Sequence, residues 1–160
     1  MVIGILQARM GSQRLPGKVL MKILGKPMLM LQIERIKRAN LIDKLVVATT
    51  KNSLDDKIEK LCSSIKVLCF RGSENDLVSR YYEASILYKA THIVRICADR
   101  PLISNQEIDN LIDYFINSDY DYAYNHYPIN NKYPIGFGAE ITTMDILKMI
   151  YLKSSDSSDR

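Results

Sequence analysis

The sequence is poor in cysteine and has no long apolar segment. Its three cysteines (Cys62, Cys69 and Cys97) lie in apolar stretches, and no two of them are spaced as a close metal-ligand pair. An odd number without a framework favours free thiols in a reducing compartment. No apolar run approaches the ~20 residues that a membrane helix needs, and Arg9 and Arg14 follow the first apolar run too closely for a signal peptide. We therefore expect a cytoplasmic protein without a membrane partner.

The chain also lacks strong charge, repeats and linkers. The net charge is +4 over 160 residues, and the lysines and arginines are scattered rather than gathered in a tail. This distribution does not indicate a nucleic-acid partner, whereas a mild cationic excess suits a small polyanion such as a nucleotide. A chain of this length can bury a substantial core without disulfides. Residues 1–160 are therefore predicted to form a single domain.

Short apolar strands alternate with amphipathic helices along the chain. The predicted strands are residues 2–8, 44–50, 66–70, 92–98 and 119–125, and the predicted helices begin near Pro27, Ser53, Asn75, Ser104 and Met144. The alternation predicts an α/β fold with a mainly parallel sheet and helices on both faces, and residues 126–139 are predicted to be loop. Ligands bind such sheets beyond the carboxyl ends of the strands, near the point where the strand order reverses.

A loop with three cations and two glycines follows the first strand. Residues 8–18 read ARMGSQRLPGK. Glycines let backbone N–H groups approach phosphates and cations offset their charge, so the loop is typical of a triphosphate site. It is not a P-loop, because five residues separate Gly11 from Gly17 and Val19 stands where that motif has a hydroxyl; the dinucleotide motif G-x-G-x-x-G is also missing. A basic surface turn is the alternative.

Asp99 directly follows the fourth predicted strand. A carboxylate at the carboxyl edge of a sheet is well placed to bind Mg²⁺, which usually takes one or two carboxylates together with substrate phosphates. The alternative is a turn residue ahead of Pro101. The two histidines, His92 and His126, are given no catalytic role. We recognise no Ser-His-Asp or Cys-His arrangement, as expected where positioning and charge stabilisation dominate the chemistry.

The first loop, with GKPM at residues 25–28, resembles the signature of the cytidylyltransferases. These include CMP-Kdo synthetases, acylneuraminate cytidylyltransferases and, most similar, the SpsF-like branch of spore-coat polysaccharide biosynthesis. The similarity continues at residues 47–50, 71–76, 95–103 and 133–136. It implies a three-layer α/β/α, Rossmann-like nucleotidyltransferase fold of the nucleotide-diphospho-sugar transferase type. The implied activity is the transfer of CMP from CTP to a sugar or sugar acid for surface polysaccharide biosynthesis, with Mg²⁺ as cofactor.

The resemblance also implies roles for individual residues. The implied catalytic residues are Arg9, Lys18 and Asp99, with Asp99 as the Mg²⁺ ligand. The implied nucleotide contacts are Ala8, Arg9, Met10, Gly11, Arg14, Lys18, Thr49, Arg71, Ser73 and Ala98. Two further residues are candidate substrate contacts: Arg100, which could contact a phosphate or an acidic sugar or face solvent, and Glu140, which follows Gly136-Phe-Gly-Ala. Ser73 or Asn75 could instead cap a helix.

The sequence departs from its relatives in two respects. Thr50 stands where related synthetases often have an acidic residue. Relatives also continue further and take another magnesium carboxylate from their later part, whereas Asp156 and Asp159 here lie in a polar terminus. The resemblance therefore implies a nucleotidyltransferase-like domain without the C-terminal part of its relatives.

Two other functions stay open. One is a glycosyltransferase of similar fold, which is disfavoured because Asp119-Tyr-Asp121 stands at the start of a predicted strand instead of at the end of one. The other is a non-catalytic nucleotide-binding domain. The tyrosines at positions 120, 122, 124, 127 and 133 are predicted to pack as rings on a β segment, and a sugar-stacking or homodimer surface is the alternative.

Overall fold

The computed structural model describes residues 1–12, 14–126 and 136–154. The strands are β1 (Val2–Gln7), β2 (Lys22–Ile23), β3 (Lys26–Pro27), β4 (Lys44–Thr50), β5 (Leu68–Gly72), β6 (His92–Cys97), β7 (Tyr122–Tyr124) and β8 (Glu140–Thr143). The helices are α1 (Met28–Ile36), α2 (Asp56–Ser64), α3 (Leu77–Leu87), α4 (Asn105–Ile116) and α5 (Met144–Lys153), with 3-10 turns at Lys18–Leu20 and Ser53–Asp55.

Six of these strands form one sheet in the order β5-β4-β1-β6-β8-β7, and β2 and β3 form a separate hairpin. The pairs β1–β4, β1–β6 and β4–β5 are parallel, while β8 runs antiparallel to β6 and β7. The chain leaves β1 towards β4 and β5, then returns to place β6 on the other side of β1. The strand order therefore reverses between β1 and β6, where Gln7 pairs with Cys97.

Helices cover both faces of the sheet. On one face α1, α2 and α4 bury a stripe that includes Ile33, Ile58 and Ile112. On the other face α3 and α5 pack Tyr81 and Leu147 against the sheet. β1 is buried on both sides, which explains its unbroken apolar sequence. The predicted three-layer α/β/α fold with a mainly parallel sheet is confirmed.

Local capping signals set most of the helix starts. Ser104 Oγ accepts a hydrogen bond from Glu107 N at 3.3 Å, so α4 begins as predicted. The start predicted at Ser53 is a 3-10 turn capped by Asn52, and α2 begins at Asp56. α3 is capped by Asp76, whose Oδ1 accepts from Ser79 N at 2.7 Å. The suggestion that Ser73 or Asn75 caps this helix is therefore wrong.

The strand predictions hold for β1, β4 and β6 and differ elsewhere. β5 is shifted towards the C-terminus, to Leu68–Gly72, and Lys66 ahead of it has a left-handed backbone with φ of 53°. β7 keeps three residues of the predicted seven, and β8 and the β2–β3 hairpin were not predicted. Asp119 and Asp121 precede β7, as expected. Tyr127, Tyr133, Asp156 and Asp159, and positions 133–135 of the resemblance, lie outside the described residues.

Two of the remaining tyrosines, Tyr122 and Tyr124, sit on the edge strand β7 with ring centroids 5.8 Å apart, and both are exposed. The longest helix in the described ranges is α4, with 12 residues. None of the helices there combines the length and apolarity needed to cross a bilayer.

Candidate functional site

A cavity of about 470 Å³ opens at the carboxyl ends of β1 and β6, where the strand order reverses. Its walls are formed by Gln7, Ala8, Arg9, Ser12, Arg14, Lys18, Val19, Cys97, Ala98 and Asp99. Six residues predicted for the site therefore meet here, although Asp99 lies some eighty positions beyond the first loop. β1 delivers the loop and β6 delivers the carboxylate, because both strands end at the same edge of the sheet.

The first loop is closed on itself through the backbone of Met10. The Met10 carbonyl accepts hydrogen bonds from Ser12 N and Gly17 N, both at 2.9 Å. Gly17 has a φ of 71°, a left-handed conformation that glycine adopts without steric cost. The chain then enters the 3-10 turn that starts with Lys18. The Met10 N–H donates to Asp55 Oδ1 at 2.7 Å, so a nucleotide contact from this group would have to replace Asp55.

Positive charge dominates the cavity. Lys18 Nζ lies 3.2 Å from Asp99 Oδ2, with side chains that are 26% and 48% exposed. Arg9 and Arg14 are exposed, and within the described parts of the chain neither forms an ion pair. Three cations thus face one carboxylate in the cavity wall. A concave surface with such an excess of positive charge attracts anions.

Within the described ranges Asp99 is not part of a preformed metal cage. In the described residues there is no group of three or more His, Cys, Asp or Glu side chains that could hold a metal ion. Mg²⁺ is commonly bound through one or two carboxylates, with substrate phosphates and waters completing its shell. The exposed oxygens of Asp99, beside cations that suit phosphate, fit an ion that enters with a polyphosphate.

Asp55, which sequence reasoning did not single out, lies between the first loop and the end of β4. It is 2% exposed, and its Oδ2 accepts from Thr50 N at 3.1 Å and from the Thr50 hydroxyl. Thr50 occupies the position where related synthetases often have an acidic residue, and the structure supplies a carboxylate to this strand end from residue 55. The sequence signal was weak, because an aspartate ahead of a helix is common. The neighbouring Thr49 is also buried, and its hydroxyl has no partner among the described residues.

Comparison with known proteins identifies this arrangement. The pattern that defines the cytidylyltransferases matches residues 3–153. The chain belongs to the cytidylyltransferase family. The family predicted from the first loop and its companion motifs is thus confirmed.

Individual relatives agree with this family. The chain is 38% identical to an uncharacterized protein of Methanocaldococcus jannaschii, over 99% of this chain and 63% of that protein. It is 31% identical to the spore coat polysaccharide biosynthesis protein SpsF of Bacillus subtilis, over 91% of this chain and 60% of that protein. A solved cytidylyltransferase of Leptospira borgpetersenii superposes with a TM-score of 0.92 at 33% identity, covering 99% of this chain and 67% of that one. The chain thus spans about 60% of the length of these two curated relatives.

Within this cytidylyltransferase chain, Arg71 braces the end of β4. Its Nε donates to Thr50 O at 2.9 Å and its Nη2 to Asn52 O at 2.8 Å. Its Nη1 lies 2.7 Å from Asp56 Oδ1 and 2.9 Å from Glu59 Oε2, and hydrogen bonding to Asp56 raises the pKa of Arg71. All three guanidinium nitrogens of Arg71 therefore already donate hydrogen bonds to groups of this chain. The implied contact of Arg71 with the base stays a prediction, and it would require these bonds to break.

Ser73 and Arg80 hold the loop that follows β5 through hydrogen bonds. Ser73 Oγ accepts from Asp76 N at 3.0 Å, and Ser73 O accepts from Arg80 Nη1 at 2.7 Å. Arg80 is 2% exposed, and its Nε has no hydrogen-bond partner in the described residues. Burial lowers the pKa of this guanidinium. An arginine on a helix is ordinarily a surface residue, so the burial of Arg80 could not be predicted from the sequence.

The two candidate substrate contacts, Arg100 and Glu140, lie outside the wall of the first cavity. Arg100 Nη1 donates to Gly138 O at 2.7 Å and so ties the end of β6 to the segment ahead of β8. Glu140 is 12% exposed, pairs with Arg95 Nη1, and lies 3.6 Å from His126 Nε2.

Glu140 and Arg95 line a second cavity of about 280 Å³, which is otherwise mainly apolar. Tyr81, also in its wall, donates from its hydroxyl to Gln7 Oε1 at 3.1 Å. Gln7 lines the first cavity, so this hydrogen bond joins the walls of the two.

Proposed function

We propose that this chain binds CTP in the first cavity and forms the nucleotide-binding core of an enzyme that transfers CMP to a sugar or sugar acid. The observation that carries the proposal is the meeting of Arg9, Arg14, Lys18 and Asp99 at the reversal of strand order in a cytidylyltransferase chain. The B. subtilis relative is named for spore coat polysaccharide biosynthesis, which supports a role in making surface polysaccharide. Because the chain spans about 60% of these relatives, the activity is proposed for the whole protein.

In the proposed reaction an oxygen of the acceptor attacks the α-phosphorus of CTP and pyrophosphate leaves. The protein contributes positioning and charge stabilisation in such transfers. Arg9 and Arg14 bind phosphate oxygens from the open side of the cavity. The exposed Lys18–Asp99 ion pair is worth only about 0–1 kcal/mol, so exchanging it for ligand contacts costs little. Lys18 then binds phosphate, and Asp99 would hold a Mg²⁺ ion, which would supply positive charge to offset that of the phosphates.

The acceptor is proposed to lie towards Arg100 and Glu140. Glu140 can accept hydrogen bonds from sugar hydroxyls, and its cavity adjoins the first through the Tyr81–Gln7 contact. A homodimer also belongs to the proposal. It is supported by the exposed tyrosines of β7, which is an edge strand and presents unpaired backbone groups. Analytical ultracentrifugation of the full-length protein tests this point.

Isothermal titration of CTP with Mg²⁺, beside ATP, GTP and UTP, tests the proposed function. We expect wild type to prefer CTP and Lys18→Ala to bind it at least about tenfold more weakly, as for the loss of a charged hydrogen bond. Lys26→Ala is the matched control, since Lys26 forms a similar exposed ion pair with Glu34 at 2.9 Å outside the cavity. A folded wild-type chain that binds no triphosphate, or a Lys26→Ala variant as weak as Lys18→Ala, would contradict the proposal.

A further inference from the structure

The carboxylate of Asp55 is buried without a cationic partner among the residues described. It is 2% exposed, and hydrogen bonds rather than ion pairs offset the cost of burying its charge. Two of the donors, the N–H and the hydroxyl of Thr50, come from the end of β4. The third is the N–H of Met10, which is 45 positions away in the first loop. Asp55 therefore connects two separate segments at the edge of the sheet.

The bond to Met10 reaches the cationic end of the loop through the backbone. Met10 O accepts from Gly17 N at 2.9 Å, and Gly17 directly precedes Lys18. The Met10 side chain packs against the main core. It also lies close to Gly17, since a Cβ added to that glycine would be 3.2 Å from the terminal methyl of Met10. The backbone of Met10 therefore links two contacts: its N–H is bound by Asp55, and its carbonyl closes the loop by accepting from Gly17 N.

We propose that Asp55 is a positioning residue for nucleotide binding, which holds the first loop in its binding conformation through Met10. This inference rests on the proposed function. When the loop is ordered before the ligand arrives, binding does not incur the entropy cost of ordering it, and the ligand binds more tightly. Asp55 lies outside the first cavity wall, so its effect on a nucleotide is exerted through the loop.

Asp55→Asn is the sharpest substitution. Met10 N donates to one oxygen of Asp55 and Thr50 N to the other. Asparagine has an NH₂ donor in place of one of these oxygens, so in the same position it can accept from only one of the two N–H groups. One buried N–H is then left without a partner, and the loop or the end of β4 must move. We expect CTP to bind about tenfold more weakly, the effect of losing one hydrogen bond to a charged group.

Asp109→Asn is the matched control. Asp109 also joins two segments through a carboxylate, since it accepts from Asn40 N and Leu41 N, both at 2.9 Å, and none of these three residues lines the first cavity. The melting temperature and the CTP dissociation constant are measured for both variants. A drop in CTP affinity confined to Asp55→Asn, at a similar loss of melting temperature, supports the inference. Equal weakening by both variants, or unchanged affinity in folded Asp55→Asn, overturns it.

Amide hydrogen exchange gives a second readout that needs no variant and no nucleotide. In the wild-type chain the amides of Met10 and Gly17 should be protected like that of Ala8, which is bonded to Ala48 O at 3.1 Å, and should exchange more slowly than that of exposed Leu15. An unprotected Met10 amide overturns the inference even if Asp55→Asn does not fold. If the Met10 amide is protected but the wild-type chain binds no CTP, the proposed function is contradicted. The hydrogen bond from Met10 to Asp55 is then supported all the same.

Discussion

The ammonium of Lys18 lies 3.2 Å from the carboxylate of Asp99. One residue ends the first loop and the other follows β6, so the parallel pairing of β1 with β6 brings them together. In the proposed complex each turns to a different part of the ligand, Lys18 to phosphate and Asp99 to the metal. Their pairing keeps both side chains at the cavity and limits repulsion among the three cations.

Substitution of Asp99 by asparagine should separate metal binding from stability. The Lys18–Asp99 pair is exposed, so Asp99→Asn should change the free energy of unfolding by less than about 1 kcal/mol. Titration of CTP with and without Mg²⁺ should show that the metal strengthens binding to wild type and not to Asp99→Asn. Glu34→Gln removes the partner of Lys26 and serves as the control that keeps the metal effect. A Mg²⁺ effect of wild-type size in Asp99→Asn would argue against Asp99 as the ligand.

Arg71 should matter for stability because four acceptors depend on it. Arg71→Gln removes bonds to Thr50 O, Asn52 O and the carboxylates of α2, and we expect a loss of about 1–3 kcal/mol in the free energy of unfolding, measured with urea. Arg71→Lys should rescue little, since an ammonium lacks the planar fork that reaches both sides. If Arg71→Lys has normal stability but binds CTP and UTP with equal affinity, the implied contact of Arg71 with the base is supported instead.

Tyr122 should make stability fall at high pH. Although Tyr122 is 49% exposed, desolvation of its buried part, together with the negative charge of Glu140, raises the pKa of Tyr122 from 10.0 to about 12. Between these values the unfolded chain loses the tyrosine proton before the folded one does. The stabilisation is therefore complete below pH 10 and disappears as the pH rises towards about 12.

Melting temperatures measured from pH 8 to about 12 check this sign. Tyr122→Phe should show a shallower decline than wild type, with Glu140→Gln in between because it removes the neighbouring charge. Tyr124→Phe, on the same strand and also exposed, is the control. A decline in Tyr122→Phe identical to that of wild type would contradict the prediction.

Much of the fold and part of the site could be read from local sequence. The apolar runs of β1, β4 and β6, and the cap of Ser104 on α4, are decided by neighbours within a few residues. The Gly-rich cationic loop and Asp99 could be placed at strand ends for the same reason. Because parallel strands share one carboxyl edge, these positions already implied a common site.

Other features depended on partners distant in the chain. β8 follows a segment with little strand signal, and it exists because β6 and β7 offer it hydrogen bonds on both sides. The resemblance implies that Arg71 contacts the base, and only the structure shows that its guanidinium also pairs with Asp56 and Glu59 of α2. The resemblance could not reveal this, since it carries residue types and not their neighbours in space.

The sequence by itself determined the alternation of elements, the family and the chemical character of the first loop, since each is written in contiguous residues. Only the tertiary structure decided which strand lies beside β1, which carboxylate meets Lys18, and that Asp55 holds Met10. The physical reason is that a buried charge such as Asp55 has to find its donors wherever the packed chain brings them. Those donors lie 5 and 45 positions away, and only the shorter of these separations falls within the reach of local sequence patterns.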